Sequence, residues 1–454
     1  MKKLFRLCAL ALGASLAFTA CAGGGGGGGG GGATDPAPSS SGSLPAVNED
    51  GTVNDPESVE VDPNKLVFWS LFSGGDGAFM DQIITDYNGT SPSKGVQSVM
   101  LVWADYYTKL STAVAANRGP DIGVSHVSKL PELVAKGIVQ PIDEYATAAG
   151  TNWDDYPKAS VDSVTFDGEK YAIPLDTHAW ILYTNSDLLT AAGVAPDGDG
   201  MISIESSEEF LDVLGKIKAS APEGTAPISL SQQGDDPYRT WWATYFQLGG
   251  TPIVSDDGSE ITIDKDKAVE AAEFVNSIWA DGYSLEGIQD AQQLFQEGKA
   301  GMFFGGTWAV GPFSGTDGLN FGLQPFPSLF NGSDAGWADS HVLIIPTKKD
   351  RSAEDTQAAV DFINYVASEG GLTWASSGQI PSNKTVTDNP EYAKLPFRSN
   401  YMEAKETAIL PPQNENFYAL KETMITNLNM IWAGQAEPAQ GIEDMISEME
   451  SDLS

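Results

Sequence analysis

Residues 65–88 read KLVFWSLFSGGDGAFMDQIITDYN, and the hydrophobic rhythm changes twice within them. KLVFWS is a β-rich run, favouring an extended strand. SGGDG is a glycine turn, and from Ala78 to Asn88 apolar residues return with helical spacing. Strand, tight turn and helix make one βα unit.

The pattern repeats outward from there. VQSVMLV (96–102) is a second strand, and DYYTKLSTAVAAN (105–117) is a helix stopped by the Gly-Pro of RGPD (118–121). IGVS (122–125) is a short strand before the helix KLPELVAKG (129–137). The middle continues with YAIPLDTHAWILYTN (171–185), the helix SSEEFLDVLGKIKAS (206–220), the strand APISLS (226–231) and the helix YRTWWATYFQLGG (238–250). TPIVSDDGSEITID (251–264) reads as a hairpin turning at Asp257-Gly258. Its acids lack the ligand spacing of a calcium hand, so a solvated turn is expected. Two amphipathic helices follow at 267–282 and 290–300, then the strand GMFFGGTWAV (301–310). Helical stretches at 354–368 and 371–378 and two longer ones close the chain. Strands alternating with helices predict an α/β fold with a largely parallel sheet. In such sheets ligands bind beyond the carboxyl ends of strands, which directs attention to the loops after LVFW and PDIGV.

The chain's 454 residues suffice for two or three domains with substantial cores. Its 62 acids against 25 bases give a formal charge of −37. Such a polyanion is repelled by nucleic acid and by anionic lipid surfaces, so neither is expected as a partner. Lys2, Lys3 and Arg6 precede an apolar run from Leu7 to Phe18, the arrangement of a secretory signal over residues 1–20. That run is shorter than the ~20 residues needed to span a bilayer. Thr19-Ala20 before Cys21 resembles a bacterial lipobox, with Cys21 as the lipidated residue, although Phe18 stands where leucine is usual. Cys8 would leave with the signal, so the mature fold would contain no disulfide. Ten glycines (Gly23–Gly32) and a Pro/Ser/Asp-rich stretch make 21–63 a tether. Its coil dimension would be roughly 35 Å.

Catalytic signatures are absent. There is no G-x-S-x-G elbow and no GxxxxGK[ST] loop. The chain's 3 histidines, His126, His178 and His341, are scattered, and without HExxH or a cysteine pair they give no zinc signature. Neither cofactor nor metal is expected. Binding is favoured over catalysis.

DPYRTWW (236–242), WADYY (103–107), PLDTHAW (174–180) and GGTWAV (305–310) each combine aromatic rings with charged or polar groups. A sugar needs both, since its C–H faces are apolar and its rim is crowded with hydroxyls. The order of segments from Lys65 onward resembles the extracellular solute-binding proteins of ABC importers, in the branch of the maltose-binding protein. KLVFW, RGPDI, YAIPLDTHAWILYTNSDLL, DPYRTW, GMFFGGTWAV, HVLIIPTKK and GQAEPAQGIEDMISEM carry that resemblance. It implies a periplasmic-binding-protein-like fold of two α/β lobes joined by crossing strands, with ligand held in the cleft. The lobes would comprise 64–177 with 322–376, and 178–321 with 377–454. It also implies a carbohydrate ligand, membrane permease subunits with a cytoplasmic ATPase as partners, a lipid anchor on the extracellular face, and a monomer.

Residue by residue, the resemblance implies ligand contacts for Asp236, Tyr238, Trp241 and Trp308. His178 falls where the family pattern has an acid, Ser125 where it has a tryptophan, and Tyr107 where it has a glutamate. Ser73 and Gly74 replace an Asp-Lys pair. These departures argue against maltose itself while keeping an aromatic-lined polyol site. Asp176, Trp180, Trp337, His341 and Arg398 lie near expected cleft loops. Each has a structural alternative. Trp241 and Trp242 face about 100° apart on a helix, so at most one should reach ligand. Asp236 could cap a helix starting near Pro237. His178 could be a satisfied core histidine, Trp308 could pack in the core, and Arg398 could form a surface salt bridge. A binder of a non-sugar solute, a glycoside hydrolase with two carboxylates, and an adhesive surface protein remain as alternative functions.

Overall fold

A computed structural model of the chain describes residues 51–255 and 257–454. The secretory signal, Cys21 and the tether up to residue 50 lie outside the described residues.

The opening βα unit forms as its rhythm dictates. The strand Lys65–Ser70 pairs in parallel with Gly95–Met100, and the helix Gly77–Gly89 lies between them in sequence. A parallel bridge from Phe68 to Ile122 brings the strand Gly123–His126 alongside. That strand runs antiparallel to His341–Ile344, which in turn pairs with Ala172–Pro174. His341 and His126 are register partners.

The expectation of a largely parallel sheet does not hold. The long strand Asp176–Asn185 is antiparallel to Ala300–Gly306, Phe321–Pro325, Gly336–Asp339 and Ile380–Pro381. Parallel pairing survives where Ala226–Ser229 meets Ala300–Gly306 and Trp337 meets Ile409. The reason is topological: a βα unit returns the chain to the same sheet end, whereas a strand leaving one lobe for the other is flanked by segments running back. Among the described residues of 251–264 there is one antiparallel bridge, Val254 to Ile261, and no strand. Its Asp257 carboxylate accepts from Ser255 Oγ, Ser259 N and Ser259 Oγ, which makes it a closed turn.

Two lobes follow from where the apolar side chains go. One core takes Leu66, Phe68, Ile83, Leu110, Ile122 and Ile173, then Val342–Ile345 and the helix Ala353–Ala367. The other lobe holds two adjoining clusters, one around Trp241, Trp242 and Met424, the other around Ile181, Phe303 and Phe313. Leu323, Phe326, Leu329 and Trp337 also pack in the second lobe. The return to the first core therefore falls between Ala338 and Val342, later than residue 322. Among the described residues the backbone passes between the cores near Leu175–Ala179, Ala338–Val342 and Trp374–Ile380.

Candidate functional site

The three crossings meet at Asp176, which is fully buried. Its carboxylate accepts from His341 N (3.1 Å), His341 Nδ1 (3.0 Å) and Trp374 Nε1 (2.7 Å), and stands 3.3 Å from His178 Nδ1. One side chain thus ties its own strand to the second and third crossings. Burial alone would raise its pKa, but the imidazoles of His341 and His178 overcome that and hold it far below the usual carboxylate range. His341 is raised, because Asp176 outweighs burial. Burial and the neighbouring imidazoles push His178 down to about 4 and His126 well down. The resulting pattern is one ionised carboxylate among three imidazoles, of which His341 is the most readily protonated and His178 and His126 resist protonation.

Above this floor opens a cavity of about 290 Å³. The first lobe lines it with Leu71, Phe72, Ser73, Gly74, Asp76, Trp103 and His126; the crossings supply His178 and His341; the second lobe supplies Gln233, Asp235, Asp236, Arg239 and Trp308. The SGGDG turn is more than a bend. A Cβ on Gly74 would lie 2.8 Å from Trp308 Cδ1, and one on Gly75 (φ +110°) 2.2 Å from Pro312 Cγ. Bare backbone is what lets this loop approach the opposite lobe. Gln292 Nε2 of the second lobe donates to Gly74 O at 3.0 Å.

The second-lobe wall is the helix Asp235–Gln247. It begins one residue before Asp236, with Gly234 (φ +82°) as its N-cap. Asp236 is therefore in the first turn and not the cap. Its Oδ1 accepts from Arg239 Nη1 at 3.0 Å, and Asp235 pairs with Lys421 Nζ at 2.6 Å. Burial raises Asp236 to about 6 despite Arg239. Asp235 is lowered, since Lys421 and Arg239 overcome the same burial. Arg239 lies within 5.4 Å of the ring centres of Trp180, Trp308 and Trp337. A guanidinium boxed by three indoles is held rigidly and desolvated, which strengthens whatever it binds.

Several buried polar atoms here have no protein partner: Asp76 Oδ1, Tyr238 Oη, Arg239 Nε and Trp337 Nε1. Asp76 and Arg239 line the main cavity; Tyr238 and Trp337 line a cavity of about 10 Å³ beside it, which also touches Arg239. Burial, partly offset by His341, raises Asp76 to about 6. Its Oδ2 accepts from Gln379 Nε2 at 3.0 Å.

Of the residues singled out in the sequence, Ser73, Gly74, His178, Asp236, Trp308 and His341 line the main cavity, and Tyr238 and Trp337 the small one. Asp176 and Tyr107 stand behind the lining, the tyrosine hydroxyl 2.7 Å from His126 Nδ1. Ser125 is buried, with Oγ donating to His126 O. Trp241 and Trp242 are both fully buried, with indole N–H groups on Ala268 O and Ile409 O. Neither faces the cavity, because positions 235, 236 and 239 share the cavity-facing side of the helix. Arg398 is no surface ion pair. It is buried and donates to the carbonyls of Ala375, Gly378 and Gln379, clamping the third crossing. Sequence reasoning missed Arg239, inside DPYRTWW, and Asp235, just before it, together with Asp76, Trp103 and His126. The histidines looked scattered because only strand pairing brings them together.

Comparison with known proteins agrees with this architecture. The chain is 24% identical to the maltodextrin-binding protein MdxE of Bacillus subtilis over 319 residues, covering 65% of this chain and 69% of that protein. The fold matches the GacH receptor of Streptomyces glaucescens, solved unliganded and with acarbose, at a TM-score of 0.75 and 20% identity, over 86% of this chain and 98% of that one. It matches UgpB of Mycobacterium tuberculosis, solved with glycerophosphocholine, at 0.75 and 17%, over 86% and 99%. Among the described residues no helix is long and apolar enough to cross a membrane. Residues 84–399 match the family of bacterial extracellular solute-binding proteins, so the chain belongs to that family and binds its substrate without converting it.

Proposed function

We propose that this protein captures a sugar or short oligosaccharide outside the cell and delivers it to the permease of an ABC importer. The observation that carries this reading is the set of orphaned buried polar atoms beside aromatic plates in one cleft. Asp76 Oδ1 can accept and Arg239 Nε can donate in the main cavity, while Tyr238 Oη and Trp337 Nε1 line a side space with room for no more than a water. Leaving such groups unpaired costs about 1–3 kcal/mol each, so a hydroxyl-rich guest that satisfies them is strongly selected. Trp308 and Trp103 supply the apolar faces on which a ring can stack. Binding to maltodextrin and acarbose by the similar proteins supports the same class.

The cavity volume sits at the small end of the ~300–1,000 Å³ usual for ligand sites. A second cavity of about 230 Å³ shares Ser73, Gly74, Asp236 and Trp308 with the first. Trp308 would then separate two subsites, which suits one to three rings. A phosphorylated solute is disfavoured because Arg239 is already paired with Asp236 and near Asp235.

The lobes would comprise 64–177 with 340–376 and 178–339 with 377–454, closing on solute as a shift in population. Cys21 would carry the lipid, and the tether would hold a monomer near the extracellular face of the membrane. Tryptophan fluorescence titrated with a carbohydrate panel tests the ligand class. A saturable response to one sugar class, absent with control solutes, is expected; no response to any sugar overturns it.

A further inference from the structure

The three histidines of the chain converge on one point. A ring nitrogen of each lies within 4.8 Å of the others, and these are all the histidines the sequence contains. His178 and His341 stack with ring centres 4.1 Å apart, and His126 lies 4.9 Å from His341. Each Nδ1 faces an oxygen: His341 and His178 face Asp176, and His126 faces the hydroxyl of Tyr107. Among the described residues no hydrogen bond engages Nε2 of any of them. That is the arrangement in metal-binding imidazoles, where an outer oxygen fixes Nδ1–H and leaves Nε2 to ligate. All three rings line the solute cavity.

We propose that His126, His178 and His341 bind one late first-row divalent cation, zinc foremost, at the floor of the solute cavity, with an open coordination position facing the solute. Three imidazoles suit zinc, copper(II) or nickel(II) and disfavour magnesium or calcium. Tetrahedral zinc with ~2.1 Å bonds needs nitrogens about 3.4 Å apart, so side-chain rotation has to draw the three rings closer around the ion. Asp176 and Asp76 place carboxylates beside the cluster to balance the added charge. The fourth position would face the cavity, where a water or a solute hydroxyl can occupy it.

The test uses tag-free protein and metal alone, with no sugar, so its failure leaves the sugar reading untouched. Chelator-washed protein is loaded with Zn²⁺, desalted and assayed for metal by mass spectrometry. About one zinc per chain is expected, falling at least about 100-fold in affinity in His178→Ala and in His126→Ala, either of which serves if the other misfolds. Tyr107→Phe should weaken binding about 10-fold, through orientation of His126. Cu²⁺ bound to the wild type should show nitrogen hyperfine coupling in its electron paramagnetic resonance spectrum, and only this cluster can supply imidazoles. Retention of no zinc, unchanged zinc in both alanine variants, or an all-oxygen copper spectrum each overturns the proposal.

Discussion

The helix Asp235–Gln247 delivers Asp235, Asp236 and Arg239 to the cleft from about one turn, whereas the floor gathers His126, Asp176, His178 and His341 from three strands far apart in sequence. The difference separates two jobs. The floor residues also pin the crossings together, so changing them alters the fold. The wall presents side chains from a helix already anchored by its other face, where Trp241 and Trp242 sit in the core. Specificity can be retuned on such a wall at little structural cost. Conversely, a floor built from the hinge feels any movement of the lobes.

The largest effect should come from Asp176→Ala. It removes the carboxylate that accepts from Trp374 and His341 and leaves those buried donors unpaired, a change that costs about 3–5 kcal/mol. Urea unfolding measures it, and near-wild-type stability would break the distinction between floor and wall. Trp241→Ala should also cost about 3–5 kcal/mol, because it empties a core site, while leaving solute affinity within about threefold of wild type. Equal loss of affinity and stability would mean that both faces of the helix serve the ligand. Arg239→Ala should do the reverse, weakening solute binding about 100-fold through a lost charge-assisted contact worth ~2–3 kcal/mol. Arg239→Lys should not rescue, since an ammonium cannot lie flat among three indoles. Trp308→Ala, at the edge of the core, should weaken binding about 10-fold by calorimetry, from loss of stacking.

The same contrast governs what could be read from the chain alone. The βα units announce themselves through local periodicity, and KLVFWS through Asn88 folds as its rhythm predicts. The wall was legible too, since DPYRTWW concentrates its chemistry in seven positions. What misled there was helical phase: Arg239 faces the cavity and Trp241 does not, a distinction that turns on which side of the helix meets the core. The floor carried no local signal. His126 and His341 become neighbours only because Gly123–His126 pairs with His341–Ile344 in one register, and a slip of one residue would separate them. The antiparallel setting of Asp176–Asn185 was likewise invisible, because strand direction is decided by lobe crossings and not by composition.

A pH dependence no larger than the Trp308→Ala effect again divides wall from floor. Asp236 is held at about 6 by burial, opposed by Arg239 and reinforced by Asp235 and Asp290. A solute hydroxyl donating to its carboxylate would favour the ionised form, so bound solute would lower this pKa. Affinity must then be greatest above pH 6 and fall as acid protonates the free protein. With a pKa near 6, the ionised fraction drops about tenfold between pH 7.5 and pH 5, and the dissociation constant should rise by the same factor. Asp76, across the cavity and also raised to about 6, titrates in the same window next to His341. Asp236→Asn separates the two contributions. If calorimetry at the two pH values shows the variant flat, the wall alone senses acid; if a tenfold loss persists unchanged, Asp76 and the histidine floor carry it, and solute recognition belongs to the hinge.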